Sequence, residues 1–375
     1  MDLQTRLDPV LQAARASADA VDSEGAFPEG AVSALRDSGL LGLTLPEAVG
    51  GLGQGPEEFR DVISQIAEAC GSTAMIYLMH VSAAMPLAAN RPQAYPHLLE
   101  GLANGTLLGT LAFSERGSRS HFWAPVSKCS QNVDGVHLQV EKSWVTSAGY
   151  ADVYVISTQS ASAESPSDSD LYAVLGTDSG IKVAAPWVAL GLRGNASSPV
   201  NVDTTVSHGA RVGEVGSGFS TMMQVVLPWF NLGNASVTTG LARAALDAAV
   251  QHVSGARLEH LGSSLADLPT IRHRIGRAGT VLAAQEAYLR ETAQKITKPD
   301  DSTLMHVIGS RAAANDAALE IIDEAMRVCG GAAFSKHLPI ERYFRDARAG
   351  HVMAPTSDVL YDLYARVLCG MELFG

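Results

Sequence analysis

The chain has 375 residues, 46% of them hydrophobic and 18% charged, which is typical of a folded globular protein rather than a disordered one. Its net charge of −12 argues against nucleic acid or an anionic membrane surface as a partner, because either would require a basic face. The four cysteines are far apart and form no C-x-x-C pair. The sequence therefore predicts neither a metal site nor a disulfide framework.

The N-terminal segment is amphipathic and carries acids, with no apolar core of the kind found in signal peptides. No run of about 18 apolar residues is evident, so we expect no segment that spans a membrane. We therefore expect a cytoplasmic protein.

Residues 1–108 are predicted to form a helical domain. Apolar residues recur at spacings of three and four in the first helix, which predicts a buried stripe made of Val10, Leu11, Ala14, Ala18 and Val21. Further helices are predicted over 28–38, 56–69 and 72–88, with a glycine- and proline-rich loop after the second.

Residues 109–216 predict a β domain, because short Val- and Thr-rich runs alternate with turn signals roughly every 8 to 12 residues. Residues 217–375 predict helices long enough for a bundle. Alanine-rich stretches in the last long helix indicate close packing and a subunit interface, hence a homotetramer or homodimer. The order α, β, α contains no parallel βαβ pattern and no dinucleotide fingerprint after a strand.

A dense cluster of charged residues and glycines lies near the C-terminus, and its parts are Gly330-Gly331, Phe334, Pro339-Ile340-Glu341-Arg342 and Arg345-Asp346-Ala347-Arg348. This segment resembles the C-terminal signature of acyl-CoA dehydrogenases. The resemblance extends over essentially the whole chain. It implies an α+β multi-domain protein with an N-terminal α-helical domain, a middle antiparallel β domain, a C-terminal four-helix bundle and an FAD cofactor.

Segments 112–120 and 142–147 are similar to the flavin-contacting segments of that family. A flavin that accepts a hydride needs directed hydrogen-bond donors and an aromatic wall that excludes water. The resemblance implies that the cofactor-binding residues are Ser114, Ser120, Trp144, Thr146, Ser147, Arg257, Gly330, Gly331 and Thr356. Structural readings also fit several of them, since Trp and Thr pack well in a sheet and a glycine pair can end a helix.

The family's catalytic base is missing. Family members use a carboxylate to abstract the proton α to a thioester carbonyl, and in most of them it stands at the position of Ala354. In a minority the base stands at the position of Phe230 and is followed by an arginine. That arginine is Asn231 here. Neither of the two positions that usually supply the base holds a carboxylate in this chain.

Three hypotheses follow for the reaction. The chain is an acyl-CoA dehydrogenase with an unusual base, for which His351, Glu115 and Asp358 are candidates. Alternatively it is a flavin monooxygenase of the same fold; Pro355 matches that branch, and His80 is a candidate proton donor. The third hypothesis is a non-catalytic subunit that pairs with an active homologue.

The resemblance implies an acyl-CoA or related small carbonyl compound as substrate, and electron-transfer flavoprotein or O2 as electron acceptor. Bulky aromatic residues near the acyl position predict a short or ring-bearing substrate. The candidate substrate-binding residues are His121, Trp123, Phe230, Asn231 and Ala354.

Overall fold

The computed structural model describes residues 2–165 and 167–374. In the first part of the chain the α-helices are α1 (Leu3–Glu24), α2 (Glu29–Asp37), α3 (Pro56–Ala69), α4 (Gly71–Ala89) and α5 (Leu98–Ala103). The Asp2 side chain caps α1 by accepting the backbone N–H of Thr5 at 2.9 Å. The apolar stripe predicted for α1 is confirmed, because all five of its residues are buried together with Leu7.

Helix α4 lies in the centre of the core and has no polar face. By length and composition alone it is long and apolar enough to cross a membrane. However, 83% of its apolar window is buried inside the protein, which is typical of the core helix of a folded domain.

The middle part of the chain forms two sheets. Its strands are β1 (Gly109–Ala112), β2 (Ser130–Gln131), β3 (Val136–Val145), β4 (Val153–Gln159), β5 (Ser169–Leu175), β6 (Ile181–Val183) and β7 (Ser198–Val206). One sheet has the order β1-β4-β5 and the other β2-β3-β7-β6. Their pairs are antiparallel except β1–β4, which is parallel, so the predicted antiparallel domain contains one parallel pair. A small core of apolar side chains lies between the two sheets.

The last part is helical apart from a hairpin of β8 (Arg257–Leu258) and β9 (Ser263–Ser264). Its helices are α6 (Gly218–Thr221), α7 (Leu227–Gly255), α8 (Pro269–Thr297), α9 (Thr303–Cys329), α10 (Gly331–Phe334), α11 (Ile340–Asp346), α12 (Arg348–Val352) and α13 (Ser357–Leu368). Helix α9 packs against α7, α8 and α13, which gives the four-helix bundle. A π-helical turn at Met222–Val226 joins α6 to α7, and such turns are frequent at functional sites.

Candidate functional site

A cavity of about 590 Å³ lies where the middle sheets meet α4, α7 and the segment between α12 and α13. Seven of the residues predicted from sequence line it: Ser114, Glu115, Ser120, Trp144, Thr146, Phe230 and Ala354. A narrow apolar recess of about 50 Å³ adjoins it and is lined by Phe113, Phe122 and Val226 among others. The volume of the larger cavity, about 590 Å³, is in the usual range for small-molecule and cofactor sites.

One hydrogen bond links the two sides of the cavity. The Ser120 hydroxyl donates to the Thr356 hydroxyl at 3.1 Å, although the two residues are 236 positions apart. Thr356 precedes the first residue of α13, so its side chain is held at a fixed helix start. The contact brings a predicted flavin-binding residue of the middle domain next to one of the bundle.

Trp144 forms an aromatic wall of the cavity. The β3–β7 register shifts between Lys142 and Val145, and this irregularity turns Trp144 out of the sheet. The indole is 64% exposed and packs edge-on against Trp187 with ring centroids 5.7 Å apart. Behind it the hydroxyls of Thr146 and Ser197 share a hydrogen bond of 2.8 Å. Trp144 therefore leaves a large aromatic face free for a planar ligand.

Strained backbone is concentrated at this cavity. Among the described residues, six non-glycine residues have a positive φ, and five lie in or next to its lining: Arg119, Trp144, Ser147, Leu192 and Ala196. Such conformations are unfavourable for residues with a side chain and cluster at ligand sites, where surrounding structure enforces them. Their clustering independently indicates a functional site.

Comparison with known proteins gives a consistent result. The profile of the acyl-CoA dehydrogenase C-terminal domain matches residues 216–369, and that of the N-terminal domain matches residues 8–105. The chain belongs to the acyl-CoA dehydrogenase superfamily.

Its relatives include the probable acyl-CoA dehydrogenase YngJ of Bacillus subtilis, which is 25% identical over 94% of this chain and 92% of that protein. Cyclohex-1-ene-1-carbonyl-CoA dehydrogenase of Geobacter metallireducens is 24% identical over 93% of this chain and 92% of that protein. Among solved structures, butyryl-CoA dehydrogenase from Megasphaera elsdenii has a TM-score of 0.90 at 20% identity and covers 98% of this chain and 99% of its own. PigA with FAD and proline has a TM-score of 0.87 at 17% identity, with 98% and 99% covered. These structural similarities show the shared fold.

Glu115 is not a free base in this superfamily member, which corrects the prediction for it. Its carboxylate pairs with the Lys142 ammonium at 2.6 Å and accepts the backbone N–H groups of Val126 and Ser127. Burial alone would raise the pKa of Glu115, but Lys142 and the Ser127 hydrogen bonds outweigh it and hold the pKa below its ordinary value. Glu115 therefore fixes the bend before Trp144 rather than accepting a substrate proton.

His80 is also structural. It is fully buried in α4, where its Nε2 donates to the Leu41 carbonyl at 2.9 Å and its Nδ1 accepts the Gly109 N–H at 3.0 Å. Burial lowers the pKa of His80 to about 4, so the ring stays neutral. With both nitrogens occupied by backbone groups, His80 has no lone pair or proton to offer a flavin, and the prediction that it donates a proton is wrong.

His351 does not line the cavity. Its Nε2 donates to Asp316 at 2.8 Å, and Asp316 also accepts the Tyr361 hydroxyl at 2.5 Å on the outer side of α9 and α13. The chain becomes extended at Met353, so the helical phase between His351 and the cavity residue Ala354 is lost. The prediction of His351 as the catalytic base is therefore wrong.

Asn231 does not line the cavity either, which corrects its substrate-binding prediction. It is fully buried inside the bundle, where it accepts a hydrogen bond from Arg311 Nη1 at 2.9 Å and donates to the Val307 carbonyl at 3.2 Å. The neighbouring Phe230 does line the cavity, and its other side faces the Arg311 guanidinium at 4.9 Å from the ring centroid.

The aromatic pair His121 and Trp123 also lies outside the cavity lining. His121 is exposed and packs edge-on against Trp123, which is buried against Phe374. Phe122, between them in sequence, is the residue that reaches the apolar recess. The substrate-binding predictions for His121 and Trp123 are therefore one residue off, because the turn at 118–124 points alternate side chains to opposite sides.

Five of the predicted flavin-binding residues are not in the cavity lining; one of them, Thr356, is hydrogen-bonded to the lining residue Ser120. Arg257 is exposed in the β8–β9 hairpin, and Gly330 and Gly331 join α9 to α10, where an added Cβ would meet nothing within 4 Å. Ser147 is buried just behind the lining and has a positive φ. A role of Arg257 at a neighbouring subunit and a close approach of the dinucleotide to the two glycines stay predictions.

Sequence reasoning missed several lining residues, notably Trp187, Asn195 and Ser197. They lie on the long connection between β6 and β7, whose sequence carries no motif. The one usable signal was the composition of that connection, since a lone tryptophan and asparagine in a glycine-rich loop are typical of binding loops.

Proposed function

We propose that this chain is an FAD-dependent oxidoreductase of the acyl-CoA dehydrogenase type that acts on an acyl-CoA thioester or a related small carbonyl compound. The observation that carries the proposal is the single cavity shared by Trp144, Thr146 and Ser120, with Thr356 bonded to Ser120 and Ala354 at its inner end.

The residues fit a flavin. Trp144 supplies a free aromatic face, Thr146 and Ser197 supply hydroxyls, and Ser120 with Thr356 closes the bundle side. The buried Ser147 hydroxyl has no hydrogen-bond partner among the described residues, which leaves a spare donor beside Thr146. When bound, FAD supplies a two-electron acceptor for a hydride. The chain's own residues hold the ring system, direct hydroxyl groups toward it and exclude water on the side of Phe230.

The proton acceptor in this proposal is non-standard. Among the described residues that line the cavity, Glu115 is the only acid, and it is already paired with Lys142. We therefore expect the α-proton to leave to water or to a group on the substrate. It follows that thioesters with an already acidic α-proton should react best, because a weak acceptor then suffices.

An oxygenase on the same fold is the second candidate, because a reaction of reduced flavin with O2 needs no carboxylate at Ala354. The third candidate is a non-catalytic subunit that pairs with an active homologue, because such a subunit also needs no carboxylate at Ala354. We further propose a cytoplasmic homotetramer or homodimer. The exposed apolar side chains of Phe334 and Val352 support an assembly that covers them.

A titration of the purified protein separates these functions. We expect a yellow FAD-bound protein whose flavin absorbance is bleached anaerobically by acyl-CoA esters and reoxidised by electron-transfer flavoprotein. Oxygen uptake coupled to substrate oxygenation would instead establish the oxygenase, and turnover only with a homologous partner would establish the subunit role. A colourless protein that takes up no FAD would overturn the proposal.

A further inference from the structure

Arg311, in the middle of α9, is a completely buried cation. Its Nε donates to the Asn234 side-chain oxygen at 3.2 Å, its Nη1 to that of Asn231 at 2.9 Å, and its Nη2 to the Met353 carbonyl at 2.9 Å. All three acceptors are neutral. Burial lowers the pKa of Arg311 to about 9, so the side chain remains a cation at pH 7.

This guanidinium has no counter-charge within the described part of the chain, where no acid lies within ion-pair distance of it. Asp316, five residues further along α9, binds His351 and Tyr361 instead. Glu115, which lines the cavity, is neutralised by Lys142. A buried charge without a partner is costly and rare, because the loss of hydration is not offset.

The cation lies directly behind one wall of the cavity. Its guanidinium covers one face of the Phe230 ring, and Phe230, Met353 and Ala354 all line the cavity. Because the Met353 carbonyl that it binds immediately precedes Ala354, the Ala354 Cβ is within about 7 Å of the Nη2 nitrogen. The field of a buried unit charge at that distance is felt inside the cavity.

We propose that Arg311 sets a positive potential at the Ala354 end of the cavity, so that this end takes an oxyanion: a carboxylate, or the enolate that forms when an acyl thioester loses its α-proton. The oxyanion needs no carboxylate base beside it to be stabilised, since the cation supplies the stabilisation through the wall. The part of this inference that concerns substrates rests on the proposed function. The positive potential at the Ala354 end does not depend on it.

A thiol placed at position 354 measures the potential without FAD or turnover. The variant Ala354→Cys is made in a Cys369→Ser background, because Cys369 is the exposed native cysteine among the described residues. The thiol pKa is read from the pH dependence of iodoacetamide alkylation. It is compared with that of the same reporter carrying Arg311→Lys, which keeps the charge, or Arg311→Gln and Arg311→Met, which remove it.

We expect the neutral variants to raise the thiol pKa by about one to two units relative to Arg311, with Arg311→Lys close to the parent. Equal thiol pKa values in the charged and neutral variants would overturn the proposal. Two neutral variants are used because glutamine keeps hydrogen bonds that methionine loses, so at least one is expected to fold. The control is alkylation of Cys369 in an Arg311→Gln variant that keeps the native Ala354 and Cys369. The pH profile of this alkylation should match that of the parent protein.

Ligand preference gives the second readout. Butyrate and butyramide have nearly the same shape but differ in charge, and their competition with alkylation of the Ala354→Cys reporter reports binding at that end. We expect butyrate to protect about tenfold better than butyramide with Arg311 and equally well with Arg311→Gln. Equal protection with Arg311 would refute the oxyanion preference. A protein that shows the thiol shift but neither binds FAD nor oxidises thioesters would refute the proposed function while leaving this inference standing.

Discussion

Loss of the Lys142 ammonium should destabilise the fold strongly. Its Nζ donates to Glu115 at 2.6 Å and to the Ser157 carbonyl at 2.6 Å, and the Lys142 and Glu115 side chains are 0% and 3% exposed. Lys142→Met leaves a buried carboxylate without its cation, a change that costs about 3–5 kcal/mol. Because the backbone N–H groups of Val126 and Ser127 still bind that carboxylate, we expect the lower end of this range.

The pH dependence of stability tests whether the unpaired Glu115 carboxylate causes this loss. In the parent the pKa of Glu115 is lowered, so its contribution to stability is present above its unfolded pKa and is lost as the pH falls through the folded pKa. In Lys142→Met burial raises that pKa instead, so the variant regains stability relative to the parent as the pH falls from 7 toward 5. The free energy of unfolding in urea, followed by tryptophan fluorescence, measures both effects.

A matched double variant separates the stranded charge from the lost packing. Glu115→Gln with Lys142→Met keeps an acceptor for Ser127 but removes the charge, so it should recover at least half of the loss. The reasoning would be refuted by a loss below about 1 kcal/mol, or by a loss that does not change with pH and is not recovered in the double variant.

Three further outcomes are expected. Ala354→Glu should increase anaerobic flavin bleaching by acyl-CoA at least about tenfold, with Ala354→Gln as the inactive control, because it restores a carboxylate at the family's position. Ser120→Ala and Thr356→Ala should each weaken FAD binding by about 1 kcal/mol, and the double variant should cost no more than one single change, because both remove the same hydrogen bond. The contribution of His80 to stability should fall by about 3 kcal/mol between pH 6.5 and 4, because the pKa of His80 is lowered to about 4 in the folded state and the unfolded chain binds the extra proton. His80→Gln removes this contribution, so the difference in unfolding free energy between the variant and the parent should change by about that amount over this pH range; a difference that stays constant with pH would refute the assignment to His80.

Local sequence patterns predicted the helices well where apolar spacing or a proline or glycine marks them. The helix expected over 56–69 is observed at Pro56–Ala69, because its apolar spacing and its N-terminal proline are both local signals. The prediction that Ser120, Trp144, Thr146 and Thr356 belong to one site came only from the family resemblance. Nothing local indicates that Ser120 meets a residue 236 positions away.

The errors concern long-range partners. Glu115 could be recognised as a titratable group near a motif, but its partner Lys142 is 27 residues away and on another strand. His351 precedes Ala354 by only three residues, but the helix ends at Val352, so the two side chains do not share a helical face. In each case the direction of the side chain depended on contacts that a single sequence does not encode locally.

The absent carboxylate and the unpaired cation are best understood together. The Cβ at position 354 lies within about 7 Å of the Arg311 Nη2 nitrogen, so a carboxylate on that side chain would act as a counter-charge, which is the ordinary way in which buried charges are tolerated. With alanine there, the positive potential stays uncompensated until an anionic group enters the cavity. On the proposed function, alanine at the position that resembles the family's base would therefore make that end of the cavity hold an anion rather than accept a proton. On this basis Ala354→Glu in an Arg311→Gln background should give a stronger base than Ala354→Glu alone, because the neighbouring cation no longer lowers the pKa of the new carboxylate, and the pH profile of flavin bleaching measures the difference.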